Sequence, residues 1–241
     1  MLTNTRGIVL HTSKFSETSI IVRIYTEVLG LRSYLVKGIR KPRARILPGL
    51  FQPLTLLDLT VYHKEKSTLH SIRDASIGHP YQTLPFDIRK SSVALFTAEL
   101  LYKSIREEEP NPALFAFVYD FALNLDAVTG PLQHYPLFFT LHLTRFLGFL
   151  PRQENPERHR IFNMTEGIFQ ESRPDHPYYL EDPSSRYLEL LLGANLHELQ
   201  DMKAPAVPRS SILEKMLVYY RLHLSGFPGI RSHEVLHDVL S

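Results

Sequence analysis

The chain has 241 residues, 44% of them apolar and 22% charged, with a formal net charge of +2, which is enough polypeptide for a sizeable core in one large domain or two modest ones. It contains no cysteine, which excludes disulfides and thiolate metal sites and suits a reducing compartment. The most apolar run, LFFTLHLTRFLGFL at 137–150, is broken by His142, Thr144 and Arg145 and is too short to span a bilayer, and the opening MLTNTRGIVLHTSKFSE has neither the apolar core nor the cleavage site of a signal peptide.

The first eighty residues read as strands. TRGIVLHTS (5–13) is short, apolar and β-branched; TSIIVRIYTE (18–27) and LRSYLVKG (31–38) form a hairpin pattern around Val28, Leu29 and Gly30. FQPLTLLDLTVYHK (51–64) and KSTLHSIRDASIG (66–78) read as a second hairpin. Five strands with an irregular connection between the third and fourth suit a small closed barrel, either an OB-fold or an SH3-like barrel. That connection is strongly basic: Lys37, Arg40, Lys41, Arg43 and Arg45 follow one another with no intervening acid. Residues 1–80 hold twelve Lys or Arg against five Asp or Glu, a charge of +7; with +2 for the whole chain, the remainder carries −5. Such asymmetry points to a polyanion-binding module joined to a part with another task, against the plain alternative of a solvated basic surface.

Strand alternation refines this. Ile20, Val22 and Ile24 share one face of the second strand, and Ile21, Arg23 and Tyr25 the other. Closing the hairpin at 28–29 sets Arg23 opposite Tyr34 and Tyr25 opposite Arg32. The outward face then carries two cations and two rings, able to hold phosphates while bases stack. Two cross-strand cation–π pairs that only stabilise the sheet are the alternative. The basic connection, kept from regular helix by Pro42 and Pro48, can follow a phosphate backbone without reading base sequence.

From residue 85 the pattern turns helical. Asp87 caps a helix over 88–109; Asn111 caps the next, with Pro112 in its first turn; further helices are predicted at 131–149, 186–202, 209–226 and from Ser232 to Leu240. The stretch 151–185 interrupts them, and RIFNM-TEG-IFQES within it reads as a small hairpin. The expected architecture is therefore α+β, with a barrel over 1–80 and a helical domain over 81–241 that carries a hairpin insertion at 152–185.

One motif invites a catalytic reading. HEVLH, on a helix, sets His233 and His237 one turn apart, where they could share zinc with Glu234 as general base. The same residues read simply as an amphipathic closing helix through Val235, Leu236, Val239 and Leu240. No nucleophile elbow, P-loop or dinucleotide fingerprint is present. A zinc hydrolase, or a barrel module that binds RNA or only protein, are the alternatives to DNA binding.

The segment LHTSKFSETSIIVRIYTEVLGLRSYLVKGIRK, followed by LPGLFQPLTLLDL, resembles the N-terminal barrel of the RecO family, the bacterial recombination mediators of DNA repair. Its marks are Ser16-Glu17-Thr18, Thr26-Glu27, Gly30, Lys37-Gly38, Arg40 and Gln52-Pro53. Weaker similarity continues at Phe146-Leu147-Gly148-Phe149-Leu150-Pro151 and in a Leu-x-Gly pattern before Arg231-Ser232. The resemblance implies an OB-fold followed by an α-helical domain. It also implies binding of single- and double-stranded DNA, annealing of complementary strands, and action with RecR and single-stranded DNA-binding protein to load RecA. No cofactor or bond-making chemistry is implied, and the place of action would be the bacterial cytoplasm, at the nucleoid. Lys37, Arg40 and Lys41 match the family's basic loop, and Arg43 and Arg45 extend it. Many relatives carry a four-cysteine zinc ribbon where this chain has residues 152–177; without cysteine that site cannot exist here. The hairpin is then its metal-free remnant, held by Ile161, Phe162, Ile168 and Phe169. The family's pocket for the acidic tail of single-stranded DNA-binding protein lies on the helical domain, where Arg145 beside Phe146 and Phe149 is the candidate.

Overall fold

The computed structural model describes residues 1–39, 47–64, 67–106, 108–153, 161–203 and 205–240. Arg40, Lys41, Arg43 and Arg45 lie outside the described residues. The chain divides into two compact units, Met1–Ala127 and Val128–Ser241.

The first unit is built on an OB-type closed barrel of five strands: β1 (Leu2–Lys14), β2 (Ile20–Thr26), β3 (Gly30–Val36), β4 (Leu56–Tyr62) and β5 (His70–Ile77), in the order β1-β2-β3-β5-β4. The long β1 serves both neighbours. Its first half pairs with β4 and its second with β2, and the register shifts between Val9 and His11, the kind of bulge that lets one strand bend from one sheet edge to the next. Period-two alternation sends Val22, Ile24, Tyr34, Leu57, Leu59 and Val61 inward to one cluster. β4 starts later than expected, because Pro48–Phe51 form a short 3₁₀ turn and Leu54 takes a positive φ of 65° before the strand begins.

The β2–β3 register departs from expectation by one residue. Thr26 pairs with Gly30, so the loop holds three residues rather than two. Gly30 adopts φ 67°, the left-handed position that closes a three-residue hairpin. Arg23 consequently faces Ser33, Ile24 faces Arg32, Tyr25 faces Leu31 and Val22 faces Tyr34. The expected pairs Arg23–Tyr34 and Tyr25–Arg32 do not form. A one-residue shift exchanges the faces, so Tyr34 enters the barrel core.

Two helices complete this unit. α1 (Ile88–Ser104) starts at Asp87, whose carboxylate accepts the Arg89 N–H at 2.9 Å. It ends at Ser104, short of the predicted Glu109. α2 (Pro112–Ala127) starts at Asn111, whose side-chain oxygen accepts the Leu114 N–H at 3.0 Å. Both caps fill orphan donors of the first turn. Near the end of α2 the buried Asp126 carboxylate accepts the backbone N–H groups of Gln82, Thr83 and Leu84 at 2.7–2.9 Å. It thereby pins the segment that leaves the barrel. Lys90 Nζ, also buried, donates to Thr83 Oγ1 and to the Asp126 carbonyl.

The second unit contains α3 (Tyr135–Phe146), a small sheet β6 (Ile161–Asn163), β7 (Ile168–Gln170) and β8 (Tyr179–Glu181), then α4 (Ser184–Gly193), α5 (Arg209–His223) and α6 (Ser232–Leu240). The sheet order is β7-β6-β8, so the expected hairpin gains a third strand that sequence alternation did not reveal. Phe162 and Phe169 sit opposite each other with ring centroids 4.9 Å apart. Phe149 stacks on His223 at 5.3 Å and meets Tyr219 and Tyr220 edge-on. The predicted helix over 186–202 is shorter: α4 ends at Gly193 and only a 3₁₀ turn at Leu196–Glu198 follows.

Candidate nucleic-acid interface

The barrel closes where β3 and β5 run parallel, through Tyr34 with His70 and Leu35 with Ser71. Beyond that short contact the two strands part. The gap is a cleft of about 420 Å³, lined among others by Leu35, Lys37, Tyr62, Lys64, His70 and Ile72. No carboxylate lines it among the described residues. Lys37 stands exposed just past the end of β3, at the start of the basic connection. Tyr62 is 46% exposed, so the cleft lining offers solvent a ring together with the Lys37 and Lys64 ammonium groups. That arrangement suits a nucleic-acid strand: the cations meet phosphates and the ring offers a base a surface for stacking. The alternation in DLTVY, with Leu59 and Val61 inward and Tyr62 outward, is the sequence signal for Tyr62. The β4–β5 hairpin, where Tyr62 pairs with Ser71, brings Lys64 and His70 beside it, and the β3–β5 closure adds Leu35 and Lys37.

The residues expected on an exposed β2–β3 face are placed otherwise. Tyr34 is fully buried and Tyr25 is 1% exposed. Tyr25 packs against Phe115 of α2, with ring centroids 6.2 Å apart, and its hydroxyl donates to the Asn111 carbonyl at 3.3 Å. Burial pushes the Tyr34 hydroxyl up to about 12. The two rings therefore build the unit's interior and offer no stacking surface. Arg23 donates to Ser33 Oγ at 3.1 Å and lies over the Tyr102 ring of α1 at 5.7 Å. Arg32 is ion-paired with Glu108 at 3.0 Å and donates to the Leu31 carbonyl. Another cation is committed too: Arg6 grips Glu27 with two hydrogen bonds of 2.6 and 2.8 Å and sits over Tyr119, which holds Glu27 below the usual carboxylate range.

In the second unit Arg145 is exposed in the last turn of α3. Phe146 is half-buried, while Phe149 belongs to the aromatic stack with Tyr219 and His223. His233, Glu234 and His237 do lie on a helix, α6. Yet His237 is 60% exposed and 3.5 Å from Asp238, and among the described residues no group of three or more His, Cys, Asp or Glu is arranged to hold a metal.

Family models account for both parts of the chain. One described as Recombination protein O N terminal matches residues 1–81, and one described as Recombination protein O C terminal matches residues 85–231. The chain belongs to the RecO family. Curated relatives agree over their whole length. The DNA repair protein RecO of Phocaeicola vulgatus is 36% identical over 241 residues, all of both chains. That of Bacteroides fragilis is 35% identical, with 99% of each chain covered. That of Christiangramia forsetii is 34% identical at the same coverage. RecO membership supports a role in DNA repair and recombination. The family's barrel is the OB-fold observed here.

Proposed function

We propose that this RecO-family chain is a DNA-binding recombination mediator, acting in the bacterial cytoplasm at the nucleoid. It anneals complementary single strands and, with RecR and single-stranded DNA-binding protein, helps load RecA onto gapped DNA. It does so by non-covalent binding alone. The observation that carries this reading is the uninterrupted positive charge that begins at Lys37, beside a cleft that no carboxylate lines among the described residues, and continues in sequence through Arg40, Lys41, Arg43 and Arg45. Neutralising successive phosphates releases counterions and needs no base-reading code. Annealing asks for that kind of grip, because a protein that read bases would compete with the incoming strand. Tyr62 takes the stacking role expected of Tyr25 and Tyr34. Arg23 and Arg32, both half-buried, contribute field more than contact. Arg145 is the candidate for the acidic tail of single-stranded DNA-binding protein.

The test is annealing of complementary oligonucleotides coated with the cognate single-stranded DNA-binding protein. Adding this protein should raise the annealing rate well above that of the coated strands alone. An unchanged rate would remove the mediator reading.

A further inference from the structure

His70 is 5% exposed, yet it lines the β3–β5 cleft. Among the described residues its Nδ1, shielded from solvent, meets no hydrogen-bond partner, and the same holds for Nδ1 of His63. The two rings stack with centroids 4.8 Å apart, and Tyr34 closes the inner side at 5.9 Å from His70. Buried polar atoms without partners are uncommon and call for an explanation. Here two imidazoles lie together under a cleft whose rim carries Lys37 and Lys64 and whose walls are Leu35, Leu69 and Ile72.

We infer that this cleft is a subsite for one nucleotide of a bound DNA strand, and that filling it protonates the His63–His70 pair. The inference rests on the DNA-binding reading above and adds a site and a regulation to it. The volume is in the range of small-ligand sites, about 300–1,000 Å³. The base enters between Leu35, Leu69, Ile72 and the Tyr62 ring, and its phosphate sits between Lys37 and Lys64. The groups facing His70 are His63 and Lys64 from the end of β4, Arg32, Tyr34 and Lys37 from β3, and Glu108 from the α1–α2 connection. Burial, then His63 and Arg32, hold His70 below the usual histidine range, against a smaller pull upward from Glu108. An entering phosphate adds negative charge above the pair and favours its charged form. Binding therefore takes up a proton, and affinity rises as the solution is acidified.

The experiment is fluorescence anisotropy of the full chain with a short labelled oligothymidylate, from about pH 7.5 to about pH 5.5 at fixed salt. Wild type should bind more tightly at the acid end, by up to about tenfold for each unit that the His70 pKa rises on binding. His70→Gln and His63→Gln should each lose most of that change, read against each variant's own affinity at the alkaline end. His63 is only half-buried, so its variant keeps the test open if His70→Gln does not fold. On the wild-type chain, histidine ¹⁵N resonances of the pair should shift toward the protonated form when oligonucleotide is added near neutral pH. If wild type binds DNA but the folded variants keep its full pH dependence, or the resonances stay put at saturation, this subsite is overturned and the DNA-binding reading stands. If wild type binds no oligonucleotide at any pH, both fall.

Discussion

Tyr34 and Tyr62 show how far a single side chain's role depends on its neighbours across the sheet. Both sit on strands of the same barrel, but Tyr34 fills the core and Tyr62 stands at the cleft rim. Tyr34→Ala should cost about 3–5 kcal/mol of stability, the usual range for removing a buried ring, read as a lower urea midpoint. Tyr62→Ala should leave that midpoint nearly unchanged and weaken single-stranded DNA binding by about 1–3 kcal/mol, the cost of one stacked base. The opposite result for the pair would mean that the barrel presents a different face to its ligand. Strand alternation is enough to turn Tyr62 outward. It misplaces Tyr34 because the sign of the alternation on β3 depends on the hairpin register.

At the scale of the elements, that register is set by Gly30. A Cβ there would run into the Glu108 and Glu109 carbonyls, and φ 67° already disfavours any side chain. Gly30→Ala should therefore destabilise the first unit by more than about 1 kcal/mol, seen as a lower midpoint of thermal or urea unfolding. Loop length is the hidden variable: Val28-Leu29-Gly30 fits a two- or a three-residue turn, and the positive φ of Gly30 that goes with the longer one is not legible in the residue types alone. The helix starts were plain in sequence, because Asp87 and Asn111-Pro112 cap locally. The Asp126 anchor was not, since its donors lie more than forty residues away. Burial raises the Asp126 pKa, but hydrogen bonds from Gln82, Leu84 and Thr83 outweigh it and leave it below the usual carboxylate value. Its stabilisation is thus complete above the unfolded-state pKa and is lost as pH falls through the lower folded value. Asp126→Ala should cost about 3 kcal/mol at neutral pH, and its deficit against wild type should shrink in acid. A deficit that is constant down to acid pH would show that the charge is not what holds the linker.

His134 gives the second unit a different acid response. Burial first, and the nearby Arg209 charge second, push it down to about 4, while its Nδ1 lies 2.7 Å from the Tyr187 hydroxyl. The unfolded chain binds this proton more readily, so stability falls as pH drops from about 6.5 towards 4. His134→Gln should flatten that part of the profile in urea unfolding followed against pH; an unaltered slope would move the effect to another group.

For the molecule as a whole, the division of charge is the feature that ties sequence to activity. The first eighty residues carry +7 and the rest −5, and the two family models meet near the change of sign. That asymmetry and the barrel are legible in the amino-acid sequence, because charge and period-two hydrophobicity are local properties. The cleft is not, because it forms only where β3 meets β5. The central claim is that basic side chains around and beyond Lys37 hold the DNA backbone. The direct measurement is the slope of the logarithm of DNA affinity against the logarithm of salt concentration, for wild type and for the Arg40→Ala, Lys41→Ala double variant. The account predicts a slope flatter by about one to two units, with binding weakened alike across sequences. An unchanged slope would contradict it.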